Sequence, residues 1–308
     1  ANLKQEILQH QQTQGELVHR ARHDVLTGLP NRYGFSERLA QAIQQIHQGS
    51  RTLFAVLFLD CDRFKQVNDS FGHLVGDQLL RAIAERLKSS VKKADLISRF
   101  GGDEFTILLT DIHRLDDATQ VAQRIHHQLE APFDIGGTQL FSGASIGIVV
   151  SSAKYRQPDE MLRDADIAMY RAKQGQLGYT VFDPAMHLEE QYALSLEIDL
   201  RQALARQELQ VNYQPIFALD TQAILGFEAL LRWHHPQKGL ISPEVFIPIA
   251  EATGLIIPIG QWVLQQACQQ LRYWQVEGFL NANCFMSVNL SVQQFSEFEL
   301  VESVDAIL

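Results

Sequence analysis

The sequence predicts an α/β fold in two parts, a ferredoxin-like sandwich followed by a second α/β unit. Three observations carry this. Thr52–Leu59 is an unbroken apolar run, which marks a strand covered on both faces. Leu96–Ile97 and Phe105–Leu109 flank Gly101-Gly102, and a Gly-Gly pair supplies the positive φ angles of a tight hairpin. Amphipathic helical stretches alternate with these strands, the pattern of a layered α/β domain. With 308 residues, 46% of them hydrophobic, the chain has room for two domains with buried cores.

Residues 1–22 are polar and Gln-rich. Leu3, Ile7, His10, Gln14, Leu17 and Ala21 follow alternating steps of four and three, a weak coiled-coil seam. It reads either as a solvated linker helix or as a signalling helix that sets dimer geometry. The chain begins with Ala, so a longer parent protein is expected. Asp24–Arg32 is a turn punctuated by Gly28 and Pro30. A helix from Ser36 to about Gln48 carries Leu39, Ile43 and Ile46 on one face. The buried strand then delivers Asp60. A helix from about Leu74 to Ser90 turns Leu79, Leu80, Ile83 and Leu87 inward and places Asp77 near its N-terminus.

Asp116–Glu130 follows as a helix, with Val121, Ile125 and Leu129 inward and His126-His127 solvated. Thr138–Val150 is strand material. Pro158 opens a helix that reaches about Lys173, since proline suits a first helical position. One long amphipathic helix over 186–208 leads into the second part. There Trp233, Trp262 and Trp274 are packing residues, and His234-His235-Pro236 reads as a loop.

A net charge of −10 argues against a nonspecific nucleic-acid binder. No apolar run reaches membrane-spanning length and no signal peptide is visible. Cys61, Cys268 and Cys284 are isolated, without metal-ligand spacing, and fit a reducing, cytoplasmic location.

The chemistry gathers at two places. Asp103 and Glu104 are held at the hairpin, and Asp60 ends the buried strand. If the strand lies beside the hairpin, Asp60 and Asp103 converge. Paired carboxylates suit Mg²⁺ or Mn²⁺, hard cations that keep positions open for phosphate oxygens.

Gly101-Gly102-Asp103-Glu104-Phe105 resembles the signature of GGDEF domains, the diguanylate cyclases. Asp24–Arg32, Asp60–Asp69 and Phe71–Asp77 resemble further motifs of that family, in order. The resemblance implies a cyclase/polymerase-palm fold over residues 23–185. It also implies a homodimer that condenses two GTP molecules into cyclic-di-GMP. Asp60, the Cys61 carbonyl and Asp103 would hold the metal, and Asp103 or Glu104 would assist loss of the 3′-hydroxyl proton. Phe64, Asn68, His73 and Asp77 would bind the nucleotide, with Asn68 and Asp77 on the guanine edge. Lys65 would neutralise phosphate charge and Lys173 would contact the terminal phosphates.

Two departures from that family pattern stand out. Lys92 occupies the place of an arginine in the Arg-x-x-Asp product-binding motif that ends here at Asp95, so weak product inhibition is expected. Leu177 stands where a phosphate-anchoring arginine is usual. That favours an alternative, a GTP-binding regulatory module.

Residues 186–308 resemble the opening of an EAL domain, the TIM-like barrel of cyclic-di-GMP phosphodiesterases. The resemblance rests on Val211–Ile216, Gly226–Arg232, Pro243–Glu251 and Val288–Ser291. It implies a metal shared by Glu228 and Asn289, a phosphate on Arg232 and a pocket lined by Gln214. A full barrel takes roughly 250 residues. The expectation is therefore a partial TIM-like barrel without phosphodiesterase activity.

Overall fold

The computed structural model describes residues 21–50, 52–295, 304–305 and 307. The seam predicted over residues 1–22 lies outside them, except for Ala21 and Arg22, which are helical. The chain divides into two compact units, residues 1–187 and 188–308.

The first unit is built on β1 (Leu53–Cys61). Around it lie β2 (Leu96–Gly101), β3 (Glu104–Ile112), β6 (Ala144–Val150) and β7 (Tyr179–Val181), in the order β2-β3-β1-β6-β7. All neighbours are antiparallel except β6 and β7. Strands β4 (Phe133–Ile135) and β5 (Thr138–Leu140) form a separate hairpin.

Alternate residues of β1 enter two different cores, which is why the strand is apolar throughout. Ala55, Leu57 and Leu59 pack beneath α3 (His73–Ser90) and α4 (Leu115–Glu130). Phe54, Val56 and Phe58 pack against α1 (Arg32–His47) and α5 (Pro158–Gly175). The helix α2 (Phe64–Phe71) lies between β1 and α3. Its eight residues follow a left-handed Arg63 (φ 60°), and Phe64, Val67 and Phe71 fall at i, i+3 and i+7 on one helical face.

Helix α5 sits unusually close to the sheet. A methyl group at Gly147 would come within 1.9 Å of the Ala165 carbonyl oxygen and 2.3 Å of the Met169 nitrogen. Glycine there lets the helix backbone rest on β6.

In the second unit, β8 (Leu209–Phe217) runs antiparallel along β9 (Ile224–His235). On the other side of β9, β11 (Phe285–Val288) pairs parallel and β10 (Gly239–Ile241) antiparallel. α7 (Pro243–Ala252) and α8 (Ile256–Val276) form the crossover from β9 to β11. The four strands make an α/β unit with no closed barrel among the described residues. The interdomain helix α6 (Ala185–Ala203) stops five residues short of the predicted 208.

His234-His235 is not a loop. Both residues end β9, and His235 is buried with its Nε2 3.0 Å from Asp199. Its Nδ1 accepts from the backbone nitrogens of Gln237 and Lys238, which tightens the turn into β10. Trp233 is fully buried and donates from Nε1 to Glu208 at 3.0 Å.

Candidate active site

The β1–β3 register sets Asp60 opposite Glu104, with Asp103 one residue earlier on the turn. The Cys61 amide donates to the Asp103 carbonyl oxygen at 3.2 Å, tying the strand end to the hairpin. The expected convergence of Asp60 and Asp103 is present. Burial and the nearby Asp60 charge hold the Asp103 carboxyl above its ordinary pKa. Glu104 is also raised, by burial first and then by Asp166, Asp60 and Asp103. Burial, then Asp103, Asp60 and Asp62, push the Cys61 thiol well up, so it is a packed, inert group.

Lys173 reaches these acids from the last turn of α5. Its Nζ donates to Asp60 Oδ1 at 2.5 Å. Burial opposes its charge, but the Asp60 hydrogen bond and charge, with Asp103 and Asp62 behind them, raise its pKa above the ordinary lysine value. Asp62 faces elsewhere: it accepts from Ser145 Oγ at 2.8 Å and packs on Gly143.

Two residues absent from the sequence-based site set the hairpin. Arg99 donates from Nη1 to both oxygens of Asp24, each at 3.0 Å. Its Nε and Nη2 donate to the Gly102 carbonyl at 3.0 and 2.7 Å. Asp24 also accepts from Thr27, through the amide at 2.8 Å and the hydroxyl at 2.6 Å. Burial alone would raise the Asp24 carboxyl, but the Thr27 bonds and Arg99 outweigh it, and its pKa is lowered. The signal was the acid opening the Asp24–Arg32 motif. Its partner lies 75 residues away, beyond any local pattern.

The predicted nucleotide residues lie on α2 and α3. Asn68 packs on Gly76, where a methyl group would meet Asn68 Oδ1 at 2.0 Å. That oxygen is buried without a hydrogen-bond partner. Asp77 is the next residue along α3, half-buried. The helix starts at His73, one residue before the predicted start, and Asp77 is its fifth residue. Lys65 and His73 are exposed. Phe64 is buried in the core with its ring edge under Gly76. Its side chain therefore supports this segment.

Elsewhere in the unit, Asp95 accepts from the Lys92 and Thr110 amides and so closes a turn. His127 is solvated as expected, but His126 is half-buried against Gly178. Leu177 lies beyond the end of α5, 63% exposed.

In the second unit, Asn289 Nδ2 donates to Glu228 Oε1 at 2.8 Å. Gln214 is the register partner of Glu228 on β8. Arg232 lies four residues further along β9, on the same face by the two-residue period of a strand. The structure thus brings Gln214, Glu228 and Asn289 together, with Arg232 further along. A cavity of about 700 Å³ between β8 and α8 is lined by Tyr213, Phe227, Trp262 and Trp274 and contains none of these four.

Among the described residues no group of three or more His, Cys, Asp or Glu forms a metal site, and no helix is long and apolar enough to cross a membrane. The donor set at Asp60 and Asp103 nevertheless fits a hard divalent cation. Two carboxylates crowd one another there, and the Lys173 ammonium is bonded to one of them.

A two-faced α/β sandwich with acids gathered at one end of its central strand is the class of domain that the first unit defines. Comparison with known proteins narrows this. The diguanylate cyclase, GGDEF domain family matches residues 21–177, and the chain belongs to it. The EAL domain matches residues 197–308.

The chain is 46% identical over 290 residues to the Pseudomonas aeruginosa bifunctional diguanylate cyclase/cyclic di-GMP phosphodiesterase MucR, covering 94% of this chain and 42% of that protein. It is 34% identical over 304 residues to the Escherichia coli cyclic di-GMP phosphodiesterase PdeR, covering 98% of this chain and 45% of that protein. A solved structure comprising only the GGDEF domain of TpbB (YfiN) from Pseudomonas aeruginosa matches 55% of this chain and 99% of its own, with 37% identity and a TM-score of 0.53. The chain spans less than half the length of these two curated relatives. The EAL match and the relatives' names leave the expected lack of phosphodiesterase activity without support.

Proposed function

We propose that the first unit is a diguanylate cyclase within a GGDEF–EAL signalling protein. The observation that carries the reading is the meeting of Asp60 with Asp103 and Glu104 at one strand end, with the Lys173 ammonium on Asp60. In the reaction the 3′-hydroxyl oxygen of one GTP attacks the α-phosphorus of a second. The bond to the β-phosphate oxygen breaks, and pyrophosphate leaves. Repetition with the roles exchanged closes cyclic-di-GMP, a two-fold symmetric product that suits an isologous homodimer.

Asp103 or Glu104 accepts the 3′-hydroxyl proton, and carboxyls held above their ordinary pKa are the better bases for it. Lys65 and Lys173 offset charge on the phosphates. Asn68 Oδ1, buried and unpaired, offers an acceptor to a base amino group beside Asp77. Asp60, Asp103 and the Cys61 carbonyl would hold Mg²⁺ or Mn²⁺, which would supply Lewis-acid polarisation of the phosphate and the 3′-hydroxyl. In the second unit, Glu228 and Asn289 form a candidate metal pair, with Gln214 and Arg232 for a cyclic-di-GMP ligand.

A second reading has the GGDEF unit bind GTP and regulate an EAL phosphodiesterase without efficient turnover. Leu177, in the position of a phosphate-binding arginine, favours it. GTP turnover with Mg²⁺ at high protein concentration, beside Asp103→Asn, separates the two. The cyclase reading expects cyclic-di-GMP from the wild type and none from the variant. GTP binding by a confirmed dimer without product would overturn it and leave the regulatory module.

A further inference from the structure

We propose that Lys173 is a built-in counter-cation for Asp60, seated there when no divalent ion is bound and displaced when one binds. The inference rests on the reading of Asp60 and Asp103 as the metal carboxylates, and adds a competitor to that site.

The contact is direct, Nζ to Oδ1 at 2.5 Å. The Asp60 side chain is 14% exposed and that of Lys173 46%, so the acid is enclosed while the lysine reaches in from solvent. A divalent cation on that carboxylate and an ammonium on the same oxygen repel one another, and one must leave. Lys173 can leave without moving α5, because its four-carbon stem is flexible. The helix itself is fixed: Ala165 and Met169 rest on Gly147, and Ala172 is fully buried. The movement is therefore a side-chain swing, and it delivers a free ammonium beside the metal, where phosphates of a bound nucleotide would lie. Charge at the acids stays balanced in both states, which guards Asp60 and Asp103 against mutual repulsion when the site is empty.

The consequence is a pair of effects with opposite signs. Replacing Lys173 by methionine keeps the stem and removes the charge. Lys173→Met should bind Mn²⁺ more tightly in the absence of nucleotide, by about tenfold (about 1.4 kcal/mol), and bind GTP more weakly in Mg²⁺. A lysine that serves only to hold α5 would give no tightening.

The test uses the whole chain. Free Mn²⁺ is titrated by electron paramagnetic resonance without nucleotide, for wild type, Lys173→Met and Asp60→Asn, with circular dichroism as the check on folding. The expected result is tighter Mn²⁺ binding by Lys173→Met and loss of that binding in Asp60→Asn. Unchanged or weaker Mn²⁺ binding by folded Lys173→Met, with Asp60→Asn still the weaker binder, overturns the proposal and leaves the metal site standing. Mn²⁺ binding by Asp60→Asn equal to wild type overturns the metal-site reading and the proposal with it.

Discussion

Replacing Arg99 by methionine removes the four hydrogen bonds that join the Asp24 turn to the Gly102 carbonyl. The pair is well enclosed, with side chains 10% and 19% exposed. Breaking a buried ion pair by deleting one partner costs about 3–5 kcal/mol. Asp24 keeps both Thr27 bonds and some solvent, so the cost falls to about 2–3 kcal/mol. With a urea dependence of about 2 kcal/mol/M, the midpoint drops by about 1–1.5 M.

The assay can isolate the first unit, because Trp233, Trp262 and Trp274 all lie in the second. Far-UV circular dichroism follows both units and tryptophan fluorescence only the second. The Arg99→Met loss should appear in the former and not in the latter. Its pH dependence has a definite sign. The folded Asp24 carboxyl is depressed, so its stabilisation is present above the unfolded value of about 4 and lost as pH falls through the folded one. The gap between wild type and variant should narrow as pH drops from 7 towards 3. An unchanged midpoint, or a gap that persists at low pH, would refute the clamp.

Gly147→Ala forces a methyl group into the α5 backbone. It should cost about 1–3 kcal/mol in the same dichroism assay. Glu208→Ala leaves the buried Trp233 indole without an acceptor. It should lower the unfolding free energy read by fluorescence by about 1–3 kcal/mol, with the first unit unmoved. Leu177→Arg, at an exposed position past α5, should tighten GTP about threefold to tenfold by equilibrium binding. No gain would remove the support that Leu177 lends to the regulatory reading.

What could be read from the sequence was whatever one segment decides for itself. The apolar run of β1 required two cores, and it has them. Gly101-Gly102 required a turn, and both glycines take positive φ. Asp60 and Asp103 could be brought together because strand ends and hairpins leave few places for an acid. Helix α2 escaped because Phe64, Val67 and Phe71 mark a helical face over only eight residues, and its start depends on one left-handed arginine. His235 read as loop because its burial comes from Asp199, 36 residues earlier. Arg99 with Asp24 and Lys173 with Asp60 are pairs 75 and 113 residues apart. Each residue looks ordinary in its own segment, and only the packed sheet chooses its partner.

Those two long-range pairs divide the work at the site. Arg99 spends its charge on Asp24 and a backbone carbonyl, so it fixes where Asp103 and Glu104 stand. Lys173 is left in direct contact with Asp60, and it is half exposed. A fixed cation at Lys173 would block a divalent ion, and a mobile one at Arg99 would let the hairpin drift. Exchanging the two side-chain types should therefore fail at both places. Lysine at 99 loses the fork that grips Asp24 and Gly102 together, and arginine at 173 binds the carboxylates too well to yield. Lys173→Arg should weaken nucleotide-free Mn²⁺ binding where Lys173→Met strengthens it, and equal effects of the two variants would show that charge at this position is not what the metal competes against.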